Sequence, residues 1–247
     1  MEKIFNTANN ITFGRIFISF IAMIFVLIGD IKLLMVAIIL IAFSELTDML
    51  DGYIARRDGC VTNLGKLLDP LSDSISRFLY FFAFAYHGIF PIWFILFLFI
   101  RDIMVAYIRT YMSLSGIAMG ARFSGKLKAL VQFVGQYILL FILVLLFISQ
   151  GQNYSEQYLI FLIIIGSISS FLLFYILKIR GNYLLYSILG YIAFLLPFYF
   201  INKVSIDFNY TISTSIMAVV ILVTLYSLID YLYGLVQELR KERLESE

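Results

Sequence analysis

Eight apolar runs, each about 20 residues long and so about as long as a bilayer's hydrocarbon core is thick, fall at 11–29, 33–54, 67–88, 91–114, 127–149, 157–178, 183–202 and 212–236. In lipid every backbone amide must find its partner within the chain, so a single segment of this kind spans only as a helix. The fold expected is an all-α, polytopic membrane helix bundle. Charge content agrees: 14% of the 247 residues are charged, where a soluble domain carries about a quarter. Turn-forming and polar residues separate the runs, among them Gly29-Asp30, His87-Gly88, Arg180-Gly181-Asn182 and the stretch 202–209.

Eight crossings return the chain to the side on which it starts. Fourteen of the 18 Lys and Arg residues fall on that side, Lys32 and Lys203 fall on the other, and Arg77 and Arg101 lie inside runs. By the positive-inside rule both termini and the hairpin from Asp48 to Asp73 face the cytoplasm. The segment 1–10 lacks a basic stretch leading into a cleavable apolar core, so no signal peptide is expected. A single cysteine, Cys60, excludes an intrachain disulfide. No basic run interleaved with aromatics points to nucleic acid.

Within this apolar chain, four aspartates stand out: Asp48, Asp51, Asp69 and Asp73. Ionised side chains at a membrane edge are costly and therefore mark function. Asp48 and Asp51 are three apart and Asp69 and Asp73 four apart, so on helices each pair projects from one face. Two such faces brought together form an all-oxygen cage, which suits Mg²⁺ or Mn²⁺ rather than zinc or copper. Between and beside the acids lie Gly52, Ala55, Arg56 and Gly65. A helix hairpin whose small residues pack and whose charges pair would not require four acids at these spacings.

The full pattern, D-x2-D-G-x2-A-R-x8-G-x3-D-x3-D, fixes eight positions over 26 residues. It is similar, without a departure, to the signature of the CDP-alcohol phosphotransferase family. The resemblance covers the first six runs, about 8–179. It implies a six-helix membrane enzyme, often a homodimer, that joins a CDP-linked lipid such as CDP-diacylglycerol to a small alcohol and releases CMP. It further implies that Asp48 and Asp69 bridge two cations, that Asp51 and Asp73 complete their shells, and that Asp73 is the general base. Gly52 and Ala55 would let the nucleotide approach the helix closely, Arg56 would grip phosphate, and Gly65 would turn the loop into the third run. Asn9-Asn10-Ile11-Thr12, with Arg15 three residues on, resembles the family's N-terminal element, where Thr12 meets the cytidine; an ordinary helix cap reads equally well. Thr62 is a further candidate contact to the CDP-lipid. Pro70 is expected near a helix start, where proline is tolerated.

Arg101-Asp102, Arg109, Arg122, Gly125-Lys126-Leu127-Lys128 and Gln132 resemble the corresponding part of phosphatidylglycerophosphate synthases. Their acceptor, glycerol 3-phosphate, is a dianion, and Arg101, Arg109, Arg122, Lys126 and Lys128 would hold its phosphate. Positive-inside topology also accounts for Lys126 and Lys128, but not for Arg101, about ten residues into its run, which pairing with Asp102 or another carboxylate would explain. Arg77, one turn beyond Asp73, balances the acids, and Glu45, one turn before Asp48, is a partner for it or an outer ligand. His87 is expected at the far membrane interface. The 25 Phe and 17 Tyr are expected to pack the core and anchor the interfaces.

Two departures bear on the acceptor: two runs more than a six-helix core, and Ser74 where those synthases often carry lysine. Inositol phosphate fits the same cations, whereas inositol, serine or choline would not need so many. A cation-coupled transporter would predict inverted repeats or broken helices near the midplane, and none is visible. The domain plan expected is a catalytic membrane domain over 1–179, two additional spans over 180–236 that pack or face lipid, and a charged cytoplasmic tail over 237–247.

Overall fold

The computed structural model describes residues 7–57, 63–115, 122–149 and 206–246. Six helices fill them: α1 (Thr7–Ile28), α2 (Ile31–Arg57), α3 (Asn63–Tyr86), α4 (Phe94–Leu114), α5 (Phe123–Ser149) and α6 (Ile206–Ser246). The described residues contain no strand. The expected runs at 157–178 and 183–202 lie outside the described residues. Among the described residues, three helices are long and apolar enough to cross a membrane, at Asn9–Ile28, Phe123–Phe147 and Asn209–Arg240.

Local chemistry sets the turns. Gly29 adopts φ 74°, a left-handed conformation that ends a helix at little cost for glycine. Asp30 then caps α2, its Oδ1 accepting from the backbone amides of Lys32 at 2.8 Å and Leu33 at 3.2 Å. Gly88, at φ 72°, ends α3 in the same way. His87 sits beside this pair of turns, its Nε2 2.7 Å from the Val26 carbonyl oxygen and its ring edge-on to Phe147. α3 starts earlier than expected, so Pro70 lies in its interior rather than in its first turn. Proline has no N–H, so one intrahelical bond is missing beside Asp69.

α1 packs against α2 and α3, α4 and α5 pack against α6, and α5 also touches α2 and α3. One apolar core runs through both groups and includes Leu34, Ile38, Phe81, Phe84, Leu143 and Met217, all fully buried. The α5 span is 72% buried, against 33% for α1 and α6, so α5 is the central helix. Phe17, Tyr107 and Leu222 point outward, as lipid-facing side chains do. At the α5–α6 crossing, a Cβ on Gly135 would lie 2.8 Å from Val220 Cγ2. Close approach through a small residue is how helices associate in lipid. Gly135→Ala should therefore cost about 1–3 kcal/mol through overpacking. A lowered melting temperature in detergent that Val220→Ala restores would verify the contact; an unchanged one would refute it.

Candidate active site

α1 carries Asn9, Thr12, Arg15 and Ser19 at spacings of three and four, which puts them on one face, and each is at most 3% exposed. α3 opposes them with Asp69, Ser72, Asp73, Ser76 and Tyr80. The two stripes interlock. Arg15 donates from Nε to Ser72 Oγ at 3.0 Å and from Nη1 to Asp73 Oδ1 at 2.9 Å, with a longer bond from Nη2 to the Asp69 carbonyl at 3.5 Å. Thr12 Oγ1 reaches Asp69 Oδ1 at 3.5 Å. Deeper in the bundle, Ser19 Oγ lies 2.8 Å from Ser76 Oγ, 2.7 Å from the Tyr80 hydroxyl and 3.1 Å from Ser44 Oγ of α2. Buried polar groups need such partners, so this ladder fixes how α1, α2 and α3 face one another.

Asp73 keeps about a third of its side chain exposed, at 35%, while Arg15 is sealed at 3%. The guanidinium thus holds one carboxylate oxygen from behind and leaves the group reachable. Glu45 of α2 lies within electrostatic range of Arg77, Arg15 and Asp73. Asp48, Asp51, Gly52, Ala55 and Arg56 lie on the last turns of α2, with side chains outside those described. Thr62 lies outside the described residues. Gly65 falls in the first turn of α3.

Among the described residues no three His, Cys, Asp or Glu side chains converge as a metal cage. The donor chemistry nevertheless fits a hard divalent cation: two carboxylates one turn apart, with the lone histidine held on Val26 at the other end of α3. Thr12 does not cap α1, which begins at Thr7, but lies inside it against Asp69.

A second polar cluster forms where α3, α4, α5 and α6 meet. Asp102 Oδ1 accepts from Lys128 Nζ at 2.6 Å and from Arg101 Nη1 at 2.9 Å, and its Oδ2 accepts from Ser74 Oγ at 3.0 Å. Arg101 Nη2 also donates to Ser227 Oγ of α6 at 2.6 Å. Two cations share one carboxylate, so the cluster keeps net positive charge. Ser74, Arg77, Asp102 and Gln132 line a pocket beside it, together with Phe78 and Phe99. Gln132 donates from Nε2 to Thr224 Oγ1 at 3.3 Å, and its Oε1 is buried with no hydrogen bond among the described residues.

The five cations expected around one acceptor do not share one arrangement. Arg101 and Lys128 converge on Asp102. Arg122 instead pairs with Asp230 of α6 at 2.7 Å, and Arg109 and Lys126 are exposed. α6 does more than pack, since it supplies Ser227 and Asp230 to these cations. The sequence offered Asp102 as a partner for Arg101, as the structure shows, but Arg15 and Asp230 were passed over as partners. A signal existed, because each is a charge inside or at the end of an apolar run.

A profile of the CDP-alcohol phosphatidyltransferase family matches residues 5–237. The chain is 30% identical over 148 residues to a CDP-diacylglycerol–glycerol-3-phosphate 3-phosphatidyltransferase of Bacillus subtilis, covering 55% of this chain and 77% of that protein. It is 31% identical over 145 residues to the protein of that name in Mycoplasma genitalium, covering 52% and 61%. A shorter match, 35% over 69 residues, is to a CMP-forming cardiolipin synthase of Streptomyces coelicolor, covering 28% and 32%. With a profile match across nearly its whole length and a helical bundle that joins carboxylates to cations, the chain belongs to the CDP-alcohol phosphatidyltransferase family of membrane enzymes.

Proposed function

We propose that this enzyme transfers the phosphatidyl group of CDP-diacylglycerol to glycerol 3-phosphate and releases CMP. Supporting the donor is the family itself; supporting the acceptor are the names of the Bacillus and Mycoplasma relatives and the cationic cluster. The observation that carries it is the position of two consecutive residues. Asp73 of α3 bonds to α1, and Ser74 bonds to Asp102 of the cationic cluster on α4. A single turn of α3 therefore joins a carboxylate able to take a proton to a region able to hold an anion.

Asp48, Asp51, Asp69 and Asp73 would hold two Mg²⁺ or Mn²⁺ ions. When bound, such ions neutralise pyrophosphate charge and steady the leaving group. Asp73 accepts the proton of the acceptor hydroxyl as its oxygen bonds to the lipid-side phosphorus, and the bond to the bridging oxygen breaks so that it leaves with CMP. Arg15 keeps the Asp73 carboxylate oriented. Thr12, Gly52, Ala55, Arg56, Thr62 and Gly65 serve the CDP-lipid. Arg101 and Lys128, with Arg109, Arg122 and Lys126, supply the field that draws in the acceptor phosphate. The active site opens at the cytoplasmic face, both termini lie on that side, and the enzyme works as a homodimer.

CMP release from CDP-diacylglycerol by purified protein tests this directly. Release is expected with glycerol 3-phosphate and Mg²⁺, and it should stop with EDTA. Release only with inositol phosphate, inositol or serine would reassign the acceptor, and release in EDTA would remove the metals from the mechanism. Lys128→Ala should raise the KM for glycerol 3-phosphate by about tenfold, the worth of one charge-assisted hydrogen bond. An unchanged KM would take Lys128 out of acceptor binding.

A further inference from the structure

One face of α6 carries Val220, Thr224, Ser227, Tyr231 and Gly234 at spacings of four, three, four and three, a single helical stripe. It meets α5 and α4. Near its cytoplasmic end the stripe encloses a guanidinium. Arg122 Nη1 donates to the Asp230 carbonyl oxygen and to Asp230 Oδ1, both at 2.7 Å. Ser124, two residues on, donates to Asp230 Oδ2. The Tyr231 ring, 3% exposed, meets two cations, with Arg101 5.8 Å and Arg122 5.9 Å from its centroid. Such distances fall within the range of cation–π attraction. Gly234 completes the seat, because a Cβ there would collide with Arg122 Nη2.

We propose that α6 is a wall of the acceptor site, in which Asp230, Tyr231 and Gly234 act as positioning residues that hold Arg122 to receive the acceptor's phosphate. This rests on the reading that the acceptor is a phosphorylated alcohol. Three observations single out Arg122. Among the described residues its hydrogen bonds all leave from Nη1, so the rest of the planar fork remains for an anion. Its side chain is 29% exposed, so a solute reaches it, unlike Arg101 at 7%. It also contacts the same aromatic ring, Tyr231, as Arg101, which bonds to Asp102 and thereby connects to Ser74 beside the proposed base. A pair made only for packing would not need a glycine opposite the guanidinium or a second hydroxyl on the same carboxylate.

The test is steady-state CMP release by full-length protein in mixed micelles, varying glycerol 3-phosphate and CDP-diacylglycerol separately. Asp230→Asn and Gly234→Ala should each raise the KM for glycerol 3-phosphate about tenfold, as expected for loss of one oriented charge-assisted bond, with a far smaller effect on the KM for CDP-diacylglycerol. Asp230→Glu should recover most of that loss. Adding Asp230→Asn to Arg122→Ala should give no further loss, because both changes remove the same contact. Leu222→Ala, on the outer face of α6, should behave as wild type. Gly234→Ala keeps every charge, so it gives the answer even where Asp230→Asn fails to fold. An unchanged acceptor KM in the two variants, or a fall in kcat with both KM values unmoved, would overturn the proposal while leaving the acceptor assignment standing. A wild-type enzyme that uses no phosphorylated alcohol would overturn both.

Discussion

Asp73→Asn should reduce CMP release by about a thousandfold, within the range by which a positioned general base accelerates a reaction. The amide matches the carboxylate in size, so the helix register and the packing of α3 survive the change. Its oxygen still accepts the Arg15 Nη1 bond seen at 2.9 Å. What disappears is the capacity to take a proton and the charge offered to a cation. The measurement is the initial rate across a Mg²⁺ titration. A base role predicts a fall in the rate at saturating Mg²⁺, whereas a role in metal binding alone predicts a rate recovered by more Mg²⁺. Turnover within a factor of ten of wild type at saturation would end the base assignment.

Arg15→Ala should damage both stability and turnover. The substitution removes the bonds to Ser72 and Asp73 and the longer one to the Asp69 carbonyl. It leaves the Asp73 carboxylate at the edge of the bundle without the guanidinium that holds it. Breaking a fully buried pair costs about 3–5 kcal/mol; Asp73 is 35% exposed, so water offsets part of that and about 2–3 kcal/mol is expected. Arg15→Lys retains the charge but not the fork that spans Ser72 and Asp73 together. Its melting temperature should fall between those of wild type and Arg15→Ala, with turnover closer to the alanine variant. Wild-type melting and turnover in Arg15→Ala would show that the α1–α3 polar contact is incidental.

Apart from α6, the described helices were legible in the chain to within four residues. The run at 33–54 became Ile31–Arg57 and the run at 91–114 became Phe94–Leu114, because apolar length is fixed by bilayer thickness. α6 was the exception, Ile206–Ser246 against a run at 212–236, and in α3 a polar first turn beginning at Asn63 moved Pro70 into the interior. Periodicity gives the face of a helix but not the face it meets. Arg15 and Asp73 are 58 residues apart and Arg122 and Asp230 are 108 apart, so neither pair follows from local spacing. Arg15 in particular reads as one more topology-setting cation at the end of a run, and only the packing of α1 on α3 turns it into a ligand for the candidate base. The motif spacing reached further. It located Asp69 and Asp73 on one helical face before any coordinates, since four residues is a property of the helix itself.

The bond from Arg101 to Ser227 joins groups 126 residues apart in sequence, and this constrains biogenesis. α4 carries a buried arginine and aspartate and is not among the three helices apolar enough to cross a membrane. Its neighbour α6 is. During synthesis α4 leaves the ribosome long before α6 exists, so Arg101 waits in the bilayer without Ser227, and Arg122, just ahead of α5, waits without Asp230. Exposed intramembrane charge of this kind is costly. The N-terminal three-helix unit can close on itself early through Ser19, whereas the half that holds Arg101 and Arg122 can mature only after α6 has been threaded. A nascent chain stalled before Ile206 would therefore expose the quality-control machinery to a half-finished enzyme whose α1–α3 ladder is already closed.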